Sequence, residues 1–256
     1  MYCYKYYPIK YLISLLKDSS MSFAKISSWD DVYENFFINQ IVFIGAERCC
    51  FDEYIASLYG QSWTLLPESD AMWRIYSSYS EGNIADVAIK VRCDSEAYYA
   101  ALSSVFGQKV ESGVVSYLND QQIWEWVEKR NIHTKADFEK SIIPSLFIKR
   151  PPFEHESEYR YTILNNDGCD MLSFHLELLD LFDEYVIDPR LNHCDMQTVV
   201  SMLRDVGVSE KQISQSTLYS YQEKVSVYAA TMDQLQIISK LISDEKNDTI
   251  RDCSII

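Results

Sequence analysis

The chain is short of the residues on which several common chemistries depend. Its four histidines, His133, His155, His175 and His193, form no His-Glu-x-x-His run and no metal-binding spacing with cysteine. Zinc hydrolysis therefore has no support. There are seven glycines, no Gly-rich phosphate-cradling loop and no Gly-x-Ser-x-Gly nucleophile elbow. The seven cysteines are odd in number and none falls in a Cys-x-x-Cys pair, so reduced thiols in a cytosolic protein are expected. No apolar run approaches the ~20 residues of a membrane span, and the start has no basic segment followed by an apolar one. A cytoplasmic protein without a membrane partner is the expectation. Cys253-Ser254-Ile255-Ile256 lacks the aliphatic position and upstream basic patch of a prenylation box and reads as a frayed tail. Positive charge is scarce too: 23 Lys and Arg against 38 Asp and Glu give a formal charge of -15, a field that opposes loose binding to a phosphate backbone.

What the chain has is apolar and aromatic mass. Of 256 residues, 47% are hydrophobic and 19 are tyrosine, which is the composition of a folded globular protein. No repeat or low-complexity stretch appears, and one globular domain over 1–242 with a polar tail over 243–256 is expected. The pattern opens as strand (2–7, closed by Pro8), helix (9–17) and strand (21–24). Ser27 to Glu34 reads as a polar loop leading into a short helix; in one reading Trp29 anchors it on the core, in another Asp30, Asp31 and Glu34 border a pocket. Residues 38–58 read as mainly helical. A buried strand over 61–66 precedes a helix opened by Pro67, with Met72, Trp73 and Tyr76 on one stripe. Strand 83–91, helix 95–105, strand 109–117, and helices over 121–130 and 132–144 follow. After a turn at Asn165-Asn166-Asp167-Gly168, residues 171–176 read as the return strand of a hairpin. Then come a strand over 184–188, a helix over 196–206 closed by Gly207, a possible strand over 224–229 and an amphipathic helix over 232–242. The fold class is α+β, with a mixed, mainly antiparallel central sheet or sheets and flanking helices.

The most informative stretch is 149–163. At strand period Glu156, Glu158, Arg160 and Thr162 share one face, and Tyr159, Tyr161 and Ile163 share the other, with 146–149 and 159–164 reading as two strands or as one strand with an irregular entry at Pro151-Pro152. An acid, acid, base row of this kind is either the wet side of an antiparallel strand or the floor of a cleft. Two carboxylates could also hold Mg²⁺ in a nuclease, with Arg160 on a phosphate, although no third acid stands at a recognisable spacing. A non-catalytic binding or regulatory module, with Glu156 and Glu158 paired to Lys149 and Arg160 in a surface network, is a further reading.

Tyr4-Lys5-Tyr6, Ser28-Trp29-Asp30-Asp31 with Glu34, Ser62-Trp63-Thr64, Met72-Trp73-Arg74-Ile75-Tyr76, Phe147-Ile148-Lys149 with Phe153, and Glu156, Glu158, Tyr159 and Arg160 resemble, in that order, a widespread bacterial family of unassigned function. Ile187-Asp188-Pro189 and Ser216-Thr217-Leu218-Tyr219 match its closing pattern, so the resemblance runs to about residue 220. Phe153 stands where many members have Trp, and Val32-Tyr33 where Pro-Phe is common. More loosely, the layout resembles the ADP-ribosyltransferase superfamily, with Ser62-Trp63-Thr64 where that superfamily has Ser-Thr-Ser. This implies an enzyme that takes NAD as substrate and transfers ADP-ribose to a macromolecular acceptor or to water, in a toxin or phage-defence setting where an antitoxin or other protein partner is one expectation. By the same resemblance the catalytic residues are Glu158, facing the developing oxocarbenium ion, and Glu156, orienting the acceptor or acting as base. Tyr4 or Tyr6, with Trp73, walls the nicotinamide and ribose, Lys149 or Arg160 holds charge near the pyrophosphate, and Lys5, Trp63 and Tyr76 complete the nucleotide-binding set. No metal is implied.

Overall fold

The computed structural model describes residues 1–220 except 30, 32, 35, 39–41 and 45. Met1–Tyr219 forms one compact unit. The elements expected at 224–229 and 232–242, the boundary at 242 and the tail lie outside the described residues, as does Asp30. In order the elements are β1 (Tyr2–Pro8), α1 (Ile9–Lys17), β2 (Ser20–Lys25), β3 (Val42–Ile44), β4 (Glu47–Cys49), α2 (Asp52–Ala56), β5 (Leu58–Thr64), α3 (Asp70–Tyr76), β6 (Ala88–Asp94) and α4 (Ser95–Phe106). There follow β7 (Val110–Val114), β8 (Ser116–Tyr117), α5 (Asp120–Lys129), α6 (Lys135–Ser145), β9 (Ile148–Lys149), β10 (Glu158–Leu164), β11 (Met171–His175), α7 (Leu178–Leu181), β12 (Phe182–Ile187), α8 (His193–Asp205) and β13 (Ile213–Gln215). The class is α+β, and the main sheet is antiparallel except for the parallel pair β12–β13.

Local chemistry sets the element ends. Pro8, the last ladder position of β1 opposite Ala88, has no N–H to donate, and α1 begins after it with Ile9, Leu12 and Leu16 buried at helical spacing. Asp94 accepts from the Glu96 and Ala97 amides to cap α4, and capping boxes at Asn119/Gln122 and Thr134/Asp137 open α5 and α6. Gly207, at φ +100°, follows α8 in the left-handed conformation.

The centre of the sheet is β5. Along one edge it pairs with β10, from Leu58↔Leu164 to Thr64↔Glu158, and β10 pairs in turn with β7. Its other edge is shared: Thr64 pairs with Tyr4 of β1, whereas Gly60 and Tyr59 pair with Ala24 and Lys25 of β2. The sheet forks there, with β1-β6-β12-β13 as one arm and β2-β11 as the other. One face carries the main core, including Cys3, Tyr7, Trp63, Val91, Tyr161 and Tyr185, packed against Leu12 of α1, Tyr98 of α4 and Leu203 of α8. On the other face α3 packs through Met72 and Trp73 on Tyr6, Ala88 and Val186.

Three sequence expectations differ from the structure. The segment 171–176 is not the return strand of a hairpin with β10: both edges of β10 are taken by β5 and β7, and β11 pairs with β2. Residues 38–58 contain the hairpin β3–β4 and only the five-residue α2, in keeping with the strand propensity of Val42, Phe43 and Ile44. Pro67 precedes α3 rather than opening it, because Ser69 supplies the cap by accepting from the Met72 amide.

Candidate active site

The stretch 149–163 is not one strand. Pro151–Glu156 forms a 3-10 turn, Ser157 takes a left-handed conformation at φ 44°, and β10 begins at Glu158. Prolines at the head of the turn cannot donate to a ladder, which excludes a strand there. Glu156 and Glu158 are thus not successive positions on one strand face, yet their carboxylates still meet. Lys149 Nζ lies 2.5 Å from Glu156, 2.9 Å from Glu34 and 3.5 Å from Glu158. The Arg160 guanidinium lies 2.6 Å from Glu34 and 2.7 Å from Glu158, and also donates to the Leu146 carbonyl.

This network of three acids and two bases is buried rather than wet: Arg160 is 0% exposed and Glu158 5%. Burial alone would raise the Glu158 carboxyl. The charges of Arg160 and Lys149, with hydrogen bonds from Arg160 and Ser62, outweigh it and hold the group below its ordinary value. Burial likewise works against the Lys149 ammonium, and the carboxylates of Glu158, Glu156 and Glu34 overcome it and raise that group. Trp29 covers the network, its ring 4.7 Å from the Arg160 guanidinium. A Cβ on Gly60 would lie 2.5 Å from that ring, so Trp29 can take this position only over a glycine.

Glu158, Thr64 and Tyr4 are cross-strand neighbours on β10, β5 and β1 and therefore share a face. They line a cleft of about 80 Å³ that is also walled by Glu156, Ser62, Tyr6, Met72 and Tyr76. Thr64 Oγ1 donates to the Glu156 carbonyl, tying the 3-10 turn to β5, and the Glu158 amide donates to the Tyr117 hydroxyl. Tyr76 stacks on Tyr6 at 6.0 Å, and the buried Tyr6 hydroxyl has no hydrogen-bond partner among the described residues. The Tyr76 hydroxyl is raised by burial, with the charges of Glu156 and Glu158 adding to it. The end of α3 is held where Tyr76 needs it: Ser77 donates to the buried Asp188, and Arg190 bonds Asp188 and the carbonyls of Trp73 and Ser77.

The expected site residues separate into groups. Tyr4, Tyr6, Tyr76, Glu156 and Glu158 come together around the cleft, and Lys5 and Trp63 also border it. Trp73 is fully buried behind Tyr6, meeting it edge-on at 4.8 Å with its indole N–H donated to Glu68, and presents no ring face to the cleft. The Trp63 ring is on the opposite, core face against Tyr98, Tyr161 and Phe182. Lys5 also points to that side, donating to the Ser62 carbonyl at 2.6 Å. Lys149 and Arg160 are committed to the buried carboxylates.

No protein-family model matches the chain, and no curated protein matches it. Among solved structures it is similar to Thermus sp. 2.9 DarT in complex with ADP-ribosylated ssDNA, at 12% identity and TM-score 0.38, over 86% of this chain and 96% of that one. It is similar at the same identity and TM-score to Thermus sp. 2.9 DarT in complex with NAD+, over 86% and 97% of the two chains. The complex of that protein with carba-NAD+ gives 11% identity and TM-score 0.35, over 84% and 94%.

Several residues that build the site stood outside the catalytic and nucleotide-binding sets expected from the sequence. Glu34, expected only in the reading that has the acidic loop border a pocket, bridges both cations. Asp31, in the same loop, pairs with Arg150 at 3.4 Å. Ser62 and Thr64 line the cleft through their place opposite Arg160 and Glu158, which only the strand register reveals. Nothing in the sequence marks Tyr117. Among the described residues no group of three or more His, Cys, Asp or Glu side chains is arranged to hold a metal ion, and no helix is long and apolar enough to cross a membrane.

Proposed function

We propose that the cleft breaks the bond between a pyridinium ring and ribose, with NAD as substrate and ADP-ribose transferred to an acceptor or to water. The observation that carries this reading is the state of Glu158: a carboxylate at the cleft wall, held ionised by Arg160 and Lys149. Glycosidases that expel an alcohol need one protonated carboxyl to protonate the leaving oxygen. Glu158 is not such a group. A nicotinamide N-glycoside needs none, because the C1′–N bond breaks with its electron pair going to the ring nitrogen, and the ring leaves neutral. What then requires stabilisation is positive charge on the ribose, and a fixed carboxylate supplies it. The nucleophile's oxygen bonds to C1′ and its proton passes to a carboxylate or to solvent. Glu156 stands at the mouth of the network for that role.

The remaining lining fits a ring-sized end of such a substrate. A cleft of about 80 Å³ is below the ~300–1,000 Å³ of sites that enclose a whole drug-sized ligand, so it holds the reacting end only. Tyr4, Tyr6 and Tyr76 offer aromatic walls. This reading assigns the walls to Tyr4, Tyr6 and Tyr76, and gives Lys149 and Arg160 the task of fixing Glu158 rather than binding pyrophosphate. For a Mg²⁺-dependent nuclease the point where Glu34, Glu156 and Glu158 converge would have to take a metal, and Lys149 Nζ already occupies it.

Nicotinamide released from NAD by the purified chain, quantified by chromatography, tests the reading. Glu158→Gln is expected to lower the rate on the order of 100-fold or more, the scale of a lost electrostatic stabiliser. Equal release by the wild type and Glu158→Gln would contradict it and favour a binding module in which the network is structural.

A further inference from the structure

Where β1 and β2 diverge along the edge of β5, a cavity of about 510 Å³ opens in the fork of the sheet. That volume is within the ~300–1,000 Å³ range of small-molecule sites. Its walls are largely apolar, and Tyr7, Tyr11, Leu15, Met21, Trp29 and Met171 are among the residues that line it. Lys5 is the one charged residue among the described residues that line it. Its ammonium donates to the Ser62 carbonyl, and no acid among the described residues lies within ion-pair distance. An ammonium has three N–H donors, so Ser62 leaves two for another partner. Burial lowers Lys5 to about 8, with the Glu158 charge opposing the shift, which leaves the group cationic at neutral pH. A lone cation in an apolar cavity is costly unless paired, and the described residues supply no pairing acid.

We propose that the fork cavity is a second binding site, for a small anion with an aromatic or aliphatic body, whose charged group pairs with Lys5 while its body fills the apolar space. The site follows from the fork and does not depend on the transferase reading. Lys5 and Ser62 also line the cleft of Glu158, so an anion bound here touches the wall of that cleft. The anion has two conceivable sources with one chemistry: the far end of a dinucleotide whose near end sits at Glu158, or a separate small acid.

The test uses 8-anilinonaphthalene-1-sulfonate, an aromatic anion, titrated by fluorescence into the folded full chain at neutral pH. Saturable binding is expected, weakened about tenfold or more by Lys5→Gln through loss of a charge-assisted hydrogen bond. Because Lys5 also holds the Ser62 carbonyl, a second pair of variants is placed at the exposed rim residue Ser14. Ser14→Glu should weaken the dye about threefold and Ser14→Lys tighten it by a similar factor, as expected for a charge added near a bound anion. Trp124→Ala, in an exposed aromatic groove elsewhere, should leave the affinity unchanged. Absence of saturable binding, indifference to the Ser14 charge, or loss of binding in Trp124→Ala would overturn the proposal. With the charge dependence established, displacement of the dye by NAD assigns the anion to the dinucleotide, and simultaneous binding assigns it to a separate acid; both results uphold the site. A chain that binds the dye in this way but never cleaves NAD would refute the transferase reading and leave the cavity assignment standing.

Discussion

At Glu158 burial and charge act in opposite directions, and charge prevails. Its carboxyl is held below the ordinary 4.5, so the folded state binds its proton less readily than the unfolded chain does. The stability it contributes is present above the unfolded value and is lost as pH falls through the lower folded one. Glu158→Gln should therefore flatten the fall in stability below about pH 4.5, measured as urea midpoints against pH. A variant with an unchanged acid limb would show that Glu158 is not the linked group. Glu34 carries a different load, since it is the partner that Lys149 and Arg160 share without facing the cleft. Removing one member of a buried ionic cluster leaves charge uncompensated, so Glu34→Ala is expected to cost roughly 3–5 kcal/mol in denaturant unfolding. A loss within ~0.5 kcal/mol would place the network in the class of surface pairs.

At the scale of elements, short irregular pieces do the positioning. The 3-10 turn Pro151–Glu156 and the left-handed Ser157 bring Glu156 beside Glu158 without a shared strand, and Trp29 closes the network over Gly60. Gly60→Ala should push the indole off Arg160, costing ~1–3 kcal/mol as overpacking and changing tryptophan fluorescence. Unchanged stability and emission would mean that the contact is not constrained. Periodicity made α1, α4 and α5 legible in the sequence, because each buries one face of a regular helix. It failed at 38–58, where strand and helix residues alternate over pieces of three to five residues, too short for a period to declare itself. The Trp63 and Trp73 side chains were readable as aromatic walls, but which face of the sheet a ring occupies depends on register and helix docking. Both rings are in cores.

Across the molecule the decisive feature is the fork on β5, which sets Tyr4 opposite Thr64 and Glu158 and opens the cavity that Lys5 enters. No local pattern announces it, since it arises from two strands 12 or more residues apart competing for one edge. The excess of acids, -15 in formal charge, is a property of the entire chain, yet the cleft is built on a local balance of three acids and two bases. The central claim is that an ionised Glu158 supports departure of a neutral ring from ribose with no proton donated to it. The measurement that tests this most directly is the pH dependence of nicotinamide release from NAD under saturation. A rate flat between about pH 5.5 and 7.5, and lowered across that range in Glu158→Gln, is the predicted result. A rate that climbs toward acid with an apparent pKa inside that range, or one that Glu158→Gln leaves intact, would contradict it.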